Sequence, residues 1–260
     1  MKHPLDPATN QAMMIRAPNW VGDVVMAVPF YKCIRENFPQ AQLYCCIRAY
    51  AAKILAGNPW FDGMISTDDK AVGGFFRLAN DIRAARIQTA FILPRSTRSL
   101  LTARLGGVKR MYGWRQNGHG LLLTGGPAHP KAGPDFAPTP MGKHYLKLAR
   151  WLDLALPEST RPELFITDAE QAFADDLLKK YDINDTEPVI GLNPGAQFGA
   201  SKCWPPEYFA RLAELLQDRF NCRLLIFAGP GEDTIAEAIV SESRADIINT
   251  AGDQVDLARL

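Results

Sequence analysis

Two distant stretches of the chain repeat one pattern: an apolar strand, a glycine-bearing loop, then an amphipathic helix. In the first, Met13–Tyr31 (MMIRAPNWVGDVVMAVPFY), Met13, Met14 and Ile15 read as a buried strand. Val24, Val25, Ala27, Val28, Ile34 and Phe38 then recur at helical spacing towards Pro39. In the second, Pro188–Leu216, the strand is Val189–Leu192 and the loop holds Gly195, Gln197, Gly199, Ser201, Lys202 and Trp204. Pro205 and Pro206 suit a helix first turn, and Phe209, Leu212, Ala213, Leu215 and Leu216 form the apolar face. Strand, turn and helix open a βαβ unit, and an open parallel sheet places its ligand crevice at the carboxyl ends of the strands. Asn19, Trp20, Gly22 and Asp23 are therefore expected where a ligand would sit.

The segments between support a parallel α/β sheet, because strands alternate with helices. Gln42–Ile47 reads as a second strand, Ala49–Ala56 as a short helix, Pro59–Thr67 as a region with a third strand, Phe75–Arg86 as a helix and Thr89–Leu93 as a strand. From Gly118 to Pro140 glycine and proline predict a long loop carrying His119 and His129, neither of which is assigned a catalytic role. Met141–Leu156 reads as a helix, and Pro157–Pro162 marks the crossover to a second domain. That domain takes helix Ala169–Tyr181, strand Arg223–Phe227, helix Ile235–Ser241 and a third strand, Ile247–Asn249. The expected division is residues 1–166 and 167–260.

Composition narrows the function. Lys and Arg total 29 against 28 acids, a net charge of +1, so no global polyanion-binding signature exists and nucleic acid is not an expected partner. Five cysteines form no C-x-x-C pair and four histidines show no ligand spacing, which argues against zinc and against a disulfide scaffold. With no basic-then-apolar leader and no apolar run of about 18 residues, the chain reads as cytoplasmic.

Three groups of residues carry candidate chemistry, each with a plainer alternative. Asp23 can cap free N–H groups at the start of its helix, or project into the crevice as a general base beside a Gly22 that leaves room for substrate. The Gly195–Lys202 loop can cradle a phosphate on its N–H groups with Lys202 as a point charge, although a lone loop Lys is commonly solvated. Arg95, Ser96 and Arg98 follow a strand's carboxyl end, where guanidinium groups could grip an acidic ligand, or belong to an amphipathic helix whose charges are merely solvated.

The stretches RAPNWVGDVVMAVP (Arg16–Pro29), NPGAQFGASKCWPPEYFARLA (Asn193–Ala213) and LPRSTRSLLTARLGGVKRMYGW (Leu93–Trp114) together resemble the ADP-heptose lipopolysaccharide heptosyltransferases of glycosyltransferase family 9, and within them the heptosyltransferase II group. The resemblance extends over nearly the whole chain. It implies a GT-B architecture of two Rossmann-like parallel-sheet domains, acceptor on the first, donor on the second, and reaction in the cleft. It further implies Asp23 as the base that activates an acceptor heptose hydroxyl for inverting attack on ADP-heptose. Gly195, Gln197, Gly199, Ser201 and Lys202 would hold the donor diphosphate, and Glu232 its ribose. Asn19, Trp20, Gly22, Arg95, Ser96 and Arg98 would face the acceptor, a lipid A-linked inner-core oligosaccharide that brings the protein to the cytoplasmic face of the inner membrane. ADP-heptose is a substrate, so no cofactor is expected.

No metal is expected either, because no D-x-D pair lies near the phosphate loop; Asp68 and Asp69 are adjacent but far from both motifs. Family members continue past the point reached at Leu260 with a D-S-G-x-x-H segment that this sequence does not contain, so the second domain is expected to be incomplete in this chain. Two other readings stand beside heptose transfer: another nucleotide-sugar as donor, or a catalytically silent acceptor-binding chain. A dehydrogenase lacks its G-x-G-x-x-G, and a P-loop enzyme its G-x-x-x-x-G-K-[ST].

Overall fold

A computed structural model describes residues 5, 11–67, 72–116, 118–128, 139–184, 186–196, 200–229 and 231–253. Gln197, Gly199, the Asp68–Asp69 pair and His129 lie outside the described residues. The chain divides into two compact units, Met1–Phe165 and Ile166–Leu260.

Unit 1 is a five-stranded parallel sheet in the order β3-β2-β1-β4-β5. Its strands are β1 (Ala12–Arg16), β2 (Gln42–Ile47), β3 (Gly63–Ser66), β4 (Thr89–Ile92) and β5 (Arg110–Gly113). β1 is central and buried along its whole length, apolar from Ala12 to Ile15 as a sheet covered on both faces requires, with the buried Arg16 at its carboxyl end. Met14 aligns with Tyr44 on one side and Ala90 on the other. Successive side chains leave opposite faces, so Met13 and Ile15 join one core cluster and Met14 the other. On the first face lie α1 (Val21–Met26), α2 (Val28–Asn37) and α6 (Met141–Trp151); on the second lie α4 (Val72–Ala84) and α5 (Thr97–Leu105). A short helix, α3 (Ala49–Ala52), follows β2 and leads into a 3-10 turn at Lys53–Leu55.

Four features differ from the expectation. The helix expected to run unbroken to Pro39 is two helices, because Pro29, in the first turn of α2, has no N–H to continue the ladder through Ala27. β5 was not foreseen: its four residues begin with Arg110, yet Met111 and Tyr112 are buried against β4. Part of the expected long loop is ordered against this edge. A 3-10 turn forms at His119–Leu121, and bridges join Tyr112 to Gly125 and Arg115 to Ala128. Gly126, at φ 153°, passes so close to β5 that a β-carbon would sit 1.7 Å from the Gly113 carbonyl oxygen. In addition, α6 stops at Trp151, short of Leu156, and Asp153 adopts φ 59°.

Unit 2 holds a parallel sheet, β6-β7-β8, of Val189–Leu192, Arg223–Ile226 and Ile247–Asn249. α8 (Pro206–Phe220) ends at Asn221 in the left-handed conformation, and α9 (Asp233–Glu242) packs beside it. α7 (Asp168–Lys180) begins with a reciprocal cap between Thr167 and Glu170. At its far end Lys180 and Tyr181 both donate to Asp253, which follows β8. Among the described residues no helix is long and apolar enough to cross a membrane.

Candidate active site and donor loop

In unit 1 the sheet order reverses between β1 and β4: one crossover leaves β1 towards β2, while β4 lies on its other side. Loops leaving neighbouring strands at such a point diverge and open a crevice at their carboxyl ends. The segment after β1 carries Pro18, Asn19, Trp20 and Asp23, and the segment after β4 carries Leu93, Pro94 and Arg95. These residues, with Met141, His144 and Tyr145 from the first turns of α6, line a cavity of about 230 Å³.

Asp23 stands in the first turn of α1, but the residue in the capping position is Trp20, whose side chain makes no cap bond. Among the described residues no hydrogen bond or salt bridge engages the Asp23 carboxylate. Burial raises its pKa above the ordinary carboxylate value, and the Arg95 guanidinium opposes that rise. Burial also pushes the Tyr145 hydroxyl well above its usual range, with Asp23 adding to the effect and Arg95 opposing it. Tyr145 therefore keeps its proton near neutral pH and can donate it in a hydrogen bond. A β-carbon at Gly22 would meet nothing within 4 Å, so packing does not demand glycine there.

A cationic cluster holds the turn beneath this pocket. The buried Arg16 guanidinium donates to the carbonyls of Ala17 (2.8 Å) and Cys46 (3.3 Å) and to Asn19 Oδ1 (3.0 Å). Arg48 Nε donates to the same Asn19 oxygen at 3.2 Å, and the Tyr50 hydroxyl donates to the Asn19 carbonyl. The Asn19 side-chain oxygen is thus occupied in fixing the turn. Trp20 is half exposed at the rim.

The remaining expected acceptor residues lie off the cavity. Ser96 caps α5, its Oγ accepting from Ser99 N–H at 3.3 Å, and the Arg98 guanidinium lies 4.9 Å from the centre of the Phe75 ring. His144 and Tyr145 went unrecognised as site residues because they read as part of an amphipathic helix. Their signal was position, one turn after Pro140 at a helix start. His144 is buried and stacks on Trp114, ring centres 3.9 Å apart and 15° from parallel. His119 is also buried, bonded to Thr97 Oγ1 at 3.0 Å.

In unit 2 the described donor residues follow β6 and β7, and among them Gly195 and Glu232 meet. Glu232 turns back onto its own loop and accepts the Gly229 N–H at 2.8 Å, with its carboxylate packed against Gly195. Ser201 and Lys202 are exposed on a 3-10 turn, Ala200–Lys202, just before α8. Trp204 stacks on Tyr208, ring centres 5.4 Å apart. Among the described residues no cluster of three His, Cys, Asp or Glu side chains could hold a metal ion.

Known proteins resemble this chain in sequence and in fold. Lipopolysaccharide heptosyltransferase 2 of Escherichia coli is 26% identical over 257 residues, which cover 95% of this chain and 73% of the relative. A glycosyl transferase family 9 structure from Veillonella parvula superposes with a TM-score of 0.85 at 19% identity, over 100% of this chain and 75% of that one. An E. coli heptosyltransferase solved with ADP-2-deoxy-2-fluoro heptose gives a TM-score of 0.64 at 14% identity, over 92% of this chain and 75% of that one. The paired parallel sheets are those of the GT-B fold. Residues 75–258 match the model of glycosyltransferase family 9 (heptosyltransferase). The chain therefore belongs to glycosyltransferase family 9, a family of sugar-transferring enzymes.

Proposed function

We propose that this protein transfers heptose from ADP-L-glycero-D-manno-heptose to a heptose of the lipopolysaccharide inner core by a single inverting displacement. The observation that carries the reading is the Asp23 carboxylate, partly buried in the β1/β4 crevice and engaged by no hydrogen bond or salt bridge among the described residues. A carboxylate so held is free to take a proton. In the proposed step the acceptor oxygen attacks the anomeric carbon, the bond from that carbon to the diphosphate breaks, and the hydroxyl proton passes to Asp23. A positioned base contributes about 10²–10⁴-fold to such a step.

Arg95 and the Tyr145 hydroxyl would orient the acceptor, Arg95 suiting its carboxylate or phosphate groups. Trp20 and Gly22 would border it, with Asn19 holding the turn; Ser96 and Arg98 would act from behind the rim. On unit 2 the leaving ADP would be met by Lys202, Ser201 and the amides of the Gly195–Gly199 loop, with Gln197 among them and Glu232 near the ribose. Charge on the leaving group would thus be balanced by a lysine and N–H dipoles, and we propose a reaction without metal or cofactor. The names of the relatives support the donor and acceptor classes. A lipid-linked acceptor would bring the enzyme to the cytoplasmic face of the inner membrane.

The test is ADP release on mixing the protein with ADP-heptose and a heptose-bearing inner-core acceptor. Release that requires both substrates supports transfer. Tight acceptor binding without release supports a silent acceptor-binding chain, and release only with another nucleotide-sugar would reassign the donor.

A further inference from the structure

The crevice around Asp23, at about 230 Å³, is smaller than the roughly 300–1,000 Å³ of pockets that enclose drug-sized ligands, so it holds one sugar ring and not a chain of them. Its walls differ in hydrogen-bonding character. An ionised carboxylate at Asp23 only accepts and the Arg95 guanidinium only donates, whereas the Tyr145 hydroxyl and a neutral imidazole at His144 can each do both. A sugar hydroxyl also does both, so the α6 wall is the one matched to hydroxyls. Of these four side chains, His144 is the one to which the proposed reaction gives no task.

Met141, His144 and Tyr145 stand at i, i+3 and i+4 of α6 and so share one helix face, which continues into the core as Leu148 and Ala149. The face turns polar where it reaches the crevice, although another apolar group would meet the needs of packing there. His144 is buried, and its ring lies against Trp114 with centres 3.9 Å apart and planes 15° from parallel. The imidazole cannot turn about its outer side-chain torsion without leaving that stack. Trp114 is itself buried and is not among the residues that line the cavity. It follows β5, and its backbone is fixed on either side: Gly113 N–H donates to the Gly125 carbonyl at 3.2 Å, and Arg115 N–H to the Pro127 carbonyl at 3.0 Å. The plane of the imidazole is thus set from the edge of the sheet, through Trp114.

We propose that His144 bonds a hydroxyl of the acceptor ring in the crevice, and that Trp114 is a positioning residue that acts only through His144. The inference rests on the sugar-transfer reading above and adds to it the group that reads the hydroxyl pattern of the acceptor. A fixed ring plane selects among hydroxyls by direction, because a hydrogen bond weakens steeply away from its line. A site built to bond a hydroxyl also rejects a ring that lacks it there, since its own polar atom is then left unpaired.

The test is calorimetric titration of the whole protein with a heptose-bearing inner-core acceptor, beside initial rates of ADP release. His144→Phe keeps a ring to stack on Trp114 and loses both nitrogens. It should weaken acceptor binding about fivefold, the worth of one hydrogen bond, raise the acceptor KM more than it lowers kcat, and leave ADP affinity as in the parent. Trp114→Leu keeps the imidazole and removes the stack, so it should weaken acceptor binding by a smaller factor that Trp114→Phe restores. In the H144F background W114L should add no further loss. Thermal melting checks that the variants fold, and H144F alone decides the contact if W114L does not. Equal acceptor affinity of H144F and the parent overturns the contact and leaves His144 a core residue. A W114L loss that persists in the H144F background overturns the positioning role. A parent that binds the acceptor but releases no ADP refutes transfer while the H144F comparison still reads the contact, and a parent that binds no acceptor overturns both.

Discussion

The Glu232 carboxylate occupies the space that a side chain on Gly195 would need: a β-carbon there would fall 1.9 Å from Oε2. The two residues follow neighbouring strands of unit 2, and the bond from Gly229 N–H holds the acid in place. Glycine at 195 is therefore imposed by the adjoining loop. Gly195→Ala should push Glu232 off the Gly229 amide at a cost of about 1 kcal/mol, the worth of one such bond. In a Glu232→Ala background the same change should cost close to nothing. Urea unfolding of the four proteins of this cycle measures the coupling, and additive effects would show the two residues to be independent.

Asp23→Asn separates a base from a cap. A cap lost to substitution would cost about 1 kcal/mol of stability. A carboxyl whose folded-state pKa is raised binds its proton more tightly when folded, so its contribution is present below the unfolded pKa and is lost as pH rises through the folded one. Near neutral pH the ionised group opposes folding. Asp23→Asn should thus melt no lower than the parent at pH 7 while turnover falls about 10²–10⁴-fold. The acid limb of the rate profile should lie above the ordinary carboxylate range, and Arg95→Met, by removing the opposing cation, should move it to higher pH.

Lys202 is exposed on its turn, so its loss should leave the fold intact. If it meets the donor diphosphate, Lys202→Ala should weaken ADP binding about tenfold or more, as expected for a charge-assisted bond. Calorimetric titration with ADP reads this directly, and equal affinity would remove Lys202 from the donor site.

Gly126 contrasts with Gly195, since its neighbour is the backbone of Gly113, which has no flexible side chain to move aside. Its φ of 153° is also one that other residues rarely adopt. Gly126→Ala should cost about 3 kcal/mol or more and detach the segment that borders β5. Denaturant unfolding gives the cost, and hydrogen exchange at Gly113 N–H, bonded to the Gly125 carbonyl, should report the detachment.

The parts of this fold legible in the sequence are those with one strong local signal. β1 is apolar from Ala12 to Ile15, and α8 begins with prolines and carries a clear apolar face. β5 was hidden because Arg110 and Gly113 bracket only two apolar residues, and its burial comes from pairing with β4, a partner remote in sequence. At the crevice, Arg95 was legible because it closely follows the strand Thr89–Leu93, and Asp23 because it opens the helix reached through the turn after the first strand. Asn19 was legible as a neighbour, but its bonds to Arg16 and Arg48 depend on two strands lying side by side. His144 and Tyr145 reach the same cavity from a helix more than a hundred residues along the chain, a meeting that no local pattern encodes.

Asp253 draws together groups 73 and 72 residues earlier in the chain, Lys180 and Tyr181. Burial alone would raise its pKa, but the two bonds outweigh burial and hold it below the ordinary value. This clasp closes the whole βαβ run of unit 2 into a ring, and closing so long a loop is entropically unfavourable until the intervening strands are already aligned. Its contribution, intact above the unfolded carboxyl pKa, is lost only as pH falls through the lower folded one, so the clasp outlasts an ordinary carboxylate contact in acid. A proton on Asp253 would remove the charge that faces Lys180 and so loosen the tie between the end of α7 and the turn after β8.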